Sequence, residues 1–109
     1  MSEKKYDPAV ESAMNGVMGS IAGVEIGAMF GFPAYKAKGK LTIRLVEEGV
    51  IAKVGKNRAD ALIGQNNISK YEPLEGRVWK DWVLISESNP ANYSNHKAVF
   101  QDAVKFLGG

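Results

Sequence analysis

His96 is the only imidazole in the chain, and cysteine is absent. Those two facts remove a thiol nucleophile, a disulfide framework and a zinc–thiolate site together, and they leave no plausible transition-metal ligand set. A catalytic base needs a nucleophile or a substrate proton within hydrogen-bond reach. No serine or acid is marked out by spacing as a partner for His96, so a packed, hydrogen-bonded histidine is its expected role. The carboxylates are scattered, Glu47-Glu48 reads as a solvated pair at a turn, and no two acids are set apart for glycosidase-type chemistry. The expectation is a chain with no catalytic residues, no cofactor and no metal.

Binding chemistry has more candidates. The run from Gly49 to Asn57, GVIAKVGKN, has the look of a phosphate-binding loop. It fails that test twice, with one residue too many between its glycines and Asn57 where a Ser or Thr would hold magnesium. What survives is a group of cations, Lys53, Lys56 and Arg58, around the expected start of a short helix, whose free amides and dipole attract anions. They belong to a wider basic segment: from Lys36 to Arg58 seven cations (Lys36, Lys38, Lys40, Arg44, Lys53, Lys56, Arg58) meet two acids. The segment is net +5 within a chain of net +2, which leaves −3 for the remainder. Two readings fit it, an anion-attracting patch on the sheet or an ordinary solvated face whose lysines protect an edge. Further on, Arg77, Trp79, Lys80 and Trp82 are crowded together. Trp and Arg dominate binding hot spots, so an exposed Trp here would anchor an interface. Both indoles as core aromatics is the alternative. A spacing of three places them on opposite faces of a regular strand.

These groups depend on the elements that carry them. Asp7-Pro8 is a strong helix start, and Val10, Ala13, Met14, Val17, Met18 and Ile21 form one apolar stripe, with Gly23 as the expected stop. Met14 and Met18 are read as core filling. From Met29 to Lys53 the pattern is that of three consecutive strands. The first, Ala28 to Ala37, contains Pro33, which calls for an edge position or a bulge. Turns at Lys38-Gly39 and Glu48-Gly49 follow. Leu41, Ile43 and Leu45, then Val50, Ala52 and Val54, alternate with polar or opposite-facing residues as in half-buried strands.

A short helix is predicted over Lys56 to Gly64, capped by Asn57, with Ala59, Leu62 and Ile63 inward. A polar loop, Gly64-Gln65-Asn66-Asn67, ends it. A weak strand over Ser69 to Leu74 and a strong one over Val78 to Ser86 come next. The last helix carries His96, Val99, Phe100, Ala103, Val104 and Leu107 on one face. The class is α+β, a two-layer arrangement in the order α-β(3)-α-β(2)-α, with helices covering an antiparallel sheet. One domain over residues 1–109 is expected from the length.

Three pieces of the chain resemble the amino-terminal domain of the TfoX/Sxy competence regulators and the small stand-alone proteins that share it. They are Met29-Phe30-Gly31 leading into Tyr35, the Gly39-Lys40 and Glu48-Gly49 turns, and Gly76-Arg77 followed by Lys80 and Trp82-Val83. The resemblance implies a secretion-chaperone-like fold of the same element order and a non-enzymatic regulatory or protein-interaction role, with a protein partner or a second copy of the chain as binding partner. The alternative is an anion- or nucleic-acid-binding protein using the Lys36–Arg58 segment. The charged start, MSEKKYDPAVES, lacks the apolar run of a signal peptide, and no stretch is long enough to span a membrane. A cytoplasmic protein without membrane contact is therefore expected.

Overall fold

A computed structural model describes residues 6–29, 31–65 and 67–108. The first five residues, Phe30, Asn66 and Gly109 lie outside the described residues, as does the side chain of Leu107. Helix α1 (Pro8–Gly19) begins where expected: Asp7 Oδ1 accepts from the Ala9 N–H at 2.8 Å, and Pro8 fills the first helical position. Val10, Met14, Val17 and Met18 are buried, both methionines completely. The helix stops at Gly19, short of Gly23, whose φ of +84° serves the turn into the sheet instead.

The sheet has six antiparallel strands in the order β1-β2-β3-β4-β6-β5. They are β1 (Val24–Met29), β2 (Phe32–Ala37), β3 (Lys40–Val46), β4 (Gly49–Lys53), β5 (Ile68–Lys70) and β6 (Trp82–Ile85). The element order is α-β(4)-α-β(2)-α, which keeps the α+β class and adds one strand to the expected meander. The stretch expected as a first strand, Ala28 to Ala37, is the end of β1, a tight turn with Gly31 at φ +80°, and β2. Pro33 consequently does not mark an edge. It stands opposite Ala28 of β1, and the ladder to β3 begins only at Ala34, so the missing N–H interrupts no rung there. The irregularity falls later, at the Tyr35–Lys36 step, where Thr42 of β3 is left without a partner in β2.

Helix α2 (Lys56–Leu62) is capped by Gly55 at φ +91° with no side-chain hydrogen bond, so Asn57 is not its cap. Ala59 and Leu62 are buried as expected, whereas Ile63 leaves the helix and is partly exposed. The later strands are shorter than their sequences suggest: β5 ends at Lys70 and β6 starts at Trp82. A 3-10 helix (Pro90–His96), capped by Asn89, precedes α3 (Lys97–Gly108), so His96 closes the former instead of riding on the latter.

The main core joins α1, α2 and α3 to one sheet face through Met14, Met18, Tyr35, Ile43, Leu45, Val50, Ala52, Val83, Ile85 and Phe100. A second, smaller cluster on the other face consists of Val46, Ile51 and Tyr71, with Trp82 and Leu84 packed against it. It contains no helical residue. On that face Ala34 and Ile51 are completely buried. Among the described residues no helix is long and apolar enough to cross a membrane.

Candidate functional site

The second face carries the aromatic groups. Lys53 on β4 stands opposite Trp82 on β6, and Ile51 opposite Leu84, so these four side chains share the surface turned away from the helices. After β5 the chain loops outward and returns. The Trp79 N–H donates to the Tyr71 carbonyl at 2.9 Å, and the Trp82 N–H donates to the Trp79 carbonyl at 3.0 Å. This turn lays the Trp79 ring edge-on against Tyr71, centroids 5.1 Å apart, and 5.7 Å from Trp82. The two indoles therefore meet on one side of the sheet. Opposite-face placement fails because Trp79 precedes the strand, and alternation with period two does not extend across a turn.

Trp79 keeps 41% of its surface exposed while Trp82 is half-buried beneath it. Arg77 and Lys80, in the same loop, are exposed. The Arg77 N–H donates to the Leu74 carbonyl, closing a tight turn at Glu75-Gly76, and Leu74 itself is 68% exposed. Of the sequence-expected binding residues, the structure thus brings Lys53, Trp79 and Trp82 to one surface, with Arg77 and Lys80 exposed in the loop that carries Trp79. It does not add Lys56 and Arg58. Those lie on α2 and are paired, Lys56 with Asp60 at 3.2 Å and Arg58 with Asp102 of α3 at 2.9 Å. Such exposed pairs add at most about 1 kcal/mol each.

Arg44 belongs to the same open face, at its far side. Its guanidinium lies 5.4 Å from the centroid of the Phe32 ring. Arg44 Nε and the neighbouring Thr42 Oγ1 are buried without a hydrogen-bond partner. An unmet buried donor costs about 1–3 kcal/mol.

A second polar constellation was not legible in the sequence. His96 Nε2 lies 2.6 Å from Glu87 Oε2, and the two side chains are only 5% and 8% exposed. An ionised carboxylate can only accept, so Nε2 carries the proton in this pair. Asn67 donates to the other Glu87 oxygen at 3.1 Å. The Glu87 N–H donates to the Tyr93 hydroxyl, which donates in turn to the Ile85 carbonyl. Asn67, Asn92 and Asn95 with the pair line an open pocket of about 330 Å³. The hydrogen bond from His96 holds the Glu87 carboxyl below its ordinary value, against burial, with Asn67 and Asn92 helping. Burial pushes the Tyr93 hydroxyl up, and it pushes Tyr35, which donates to Asn15 of α1, up as well.

The pair ties the end of β6 to the 3-10 helix and, through Asn67, to the start of β5. The Ser86 and Ser94 hydroxyls donate to the carbonyls of Glu48 and Ala91. This link between elements predicts a pH dependence. Glu87 binds its proton less readily folded than unfolded, so its contribution is complete above about pH 4.5 and is lost as the pH falls through the lower folded value. Urea unfolding followed across the acid range should show a stability loss that is visibly flatter in Glu87→Gln than in the wild type.

A further open groove of about 390 Å³ runs between α1 and the 3-10 helix along Ala13, Gly16, Val17 and Ala91. Its serines, Ser20 and Ser94, donate to backbone carbonyls of their own helices. Among the described residues no group of three or more acids or histidines is placed to hold a metal ion. Compared with known proteins, the chain matches no family model, no curated protein and no solved structure.

Proposed function

We propose that the chain is a small non-catalytic regulatory or protein-interaction module, of the kind its likeness to the competence-regulator domain implies, and that it binds a partner protein through the Tyr71–Trp79–Trp82 face. The observation that carries this reading is Trp79, whose indole packs against two rings and whose backbone is fixed by two hydrogen bonds, yet which is 41% exposed. A rigid aromatic loses little conformational entropy on binding, which is why such groups become anchors. Leu74 and Val78 in the same loop are exposed apolar residues, Arg77 and Lys80 beside them are exposed cations, and Lys53 stands opposite Trp82. The partner it suits presents an apolar side chain flanked by carboxylates.

Trp79→Ala should keep a native circular dichroism spectrum, lose about 0.5–1.5 kcal/mol of stability for each ring contact removed, and weaken partner binding about 30-fold or more, the size of a hot-spot loss near 2 kcal/mol. The measurement is a quantitative pull-down with wild-type and variant baits side by side. A captured set that is identical for both baits would remove this face from the function.

Arg44 favours a second reading, binding of an anion or a nucleic acid, because its buried Nε lacks a partner and its guanidinium already lies over a ring. Bases stack on aromatic rings while cations track the phosphates. Titration of the tryptophan fluorescence with oligo-dT at two salt concentrations separates the readings. Quenching that weakens steeply with salt supports nucleic acid, and none at either concentration leaves the protein partner.

A further inference from the structure

The two edges of the sheet are built differently. At one edge β5 is three residues long and presents Ser69 and Lys70 to solvent, a short, lysine-bearing edge of the kind that discourages pairing. At the other edge β1 has six residues, VEIGAM, in unbroken register with β2. It has no lysine, no proline and no bulge, and Ile26 at its centre is 54% exposed.

Its free backbone groups can be assigned. Met29 and Phe32 face each other across a two-residue connection, and the pair closing such a hairpin is a hydrogen-bonded one. Counting back along β1, Met29, Gly27 and Glu25 turn their peptide groups toward β2. Ala28, Ile26 and Val24 turn theirs outward, to the open edge. The same three side chains lie on the helix-covered face, since Val24 packs against the main core and Ile26 stands opposite Tyr35, which reaches α1.

We propose that β1 pairs with β1 of a second copy of this chain, antiparallel about a two-fold axis at Ile26. Outward residues must oppose outward residues for their bonds to form, and this register is the one that uses all three on both strands. Ile26 faces Ile26 of the second copy, and Val24 faces Ala28. About six backbone hydrogen bonds close the seam. The pairing covers the exposed isoleucine with its own symmetry mate, and it sets Glu25 opposite Gly27, so no like charges confront each other. A self-complementary patch of this kind is what a closed two-fold dimer requires. The other edge offers no comparable surface.

The dimer stands apart from the aromatic face, which lies on β4, β6 and the loop before β6, so each can fail without the other. Sedimentation velocity over a wide concentration range should show a reversible monomer–dimer equilibrium for the wild type. Ile26→Lys should be monomeric throughout, with an unchanged circular dichroism spectrum and unchanged Trp79-dependent binding, and Ser69→Lys on β5 should dimerise like the wild type. In a chain without cysteine, Ile26→Cys should form a disulfide-linked dimer on mild oxidation, because opposed hydrogen-bonded residues lie about 5.5 Å apart between Cα atoms. Ser69→Cys should not. A wild-type monomer at every concentration, or a dimer that survives Ile26→Lys with no cross-link through Cys at position 26, overturns the proposal.

Discussion

Replacing His96 by alanine is expected to cost about 3 kcal/mol of stability, because it leaves the buried Glu87 carboxylate without its main hydrogen-bond donor. The loss comes from what is left behind. Glu87 is 8% exposed and held ionised mainly by the His96 hydrogen bond, so without the imidazole it must remain charged with Asn67 as its nearest donor or take up a proton. The pocket beside it admits water, which keeps the loss from being larger. For a domain of this size the melting temperature should fall by roughly 10–15 °C at neutral pH. His96→Gln, which restores a donor, should recover part of the loss. In Glu87→Gln the further change His96→Ala should cost much less than it does in the wild type, because the carboxylate to be left unpaired is already gone. Equal costs in both backgrounds would mean that His96 acts by packing alone.

Gly49→Ala is expected to be at least as severe. A β-carbon at that position would lie 2.3 Å from the Ile85 carbonyl oxygen and 3.1 Å from the Tyr93 hydroxyl. Neither can yield cheaply. The Ile85 residue is a rung of both the β4–β6 and the β5–β6 ladders, and Tyr93 donates to that same carbonyl. Relief requires β4 to draw away from β6 at the centre of the sheet, so a loss of about 3–5 kcal/mol follows, readable as a fall in the urea midpoint. Gly16 gives the contrast within the same chain. It lies inside α1 with nothing within 4 Å of the position a β-carbon would take, and Gly16→Ala should stabilise by about 0.5–1 kcal/mol. The difference between the two glycines is contact, since the substitution is the same.

Where local pattern is strong, the sequence and the structure agree: the Asp7-Pro8 cap, the methionines of α1, and the alternation in β3 and β4. Elements set by strand pairing and not by local pattern are harder to read. Val24–Met29 contains a glycine and a small alanine and has no alternation of polarity to announce a strand. It becomes one by pairing with β2, and only Gly23 and Gly31, both at positive φ, bracket it. The stretch Val78–Asp81 has the β-branched and aromatic content of a strand but is taken up by the turn that stacks Trp79 on Trp82. The His96 partner stayed hidden because helical spacing was applied to a segment that is a 3-10 helix, and because Glu87 comes from the strand side of Asn89-Pro90. The Asn89-Pro90 start signal was present and could have moved the helix boundary. Lys56 and Arg58 illustrate a different gap: their partners, Asp60 and Asp102, depend on where α2 and α3 meet.

The insertion of β6 between β4 and β5 also orders events in time. The first four strands follow one another through tight turns and can pair as soon as they leave the ribosome. The rung between Lys53 and Trp82 must wait for the whole segment between them, and closing that longer loop costs roughly 2 kcal/mol more than closing a tight turn. Phe100 and Ala103, which cover the inner face, are synthesised later still. For that interval the nascent meander presents Ile43, Leu45 and Val50 to the cell uncovered, together with the bare β1 edge. The β1 edge that suits a second copy of the folded chain is, during synthesis, the place where one unfinished chain can capture another.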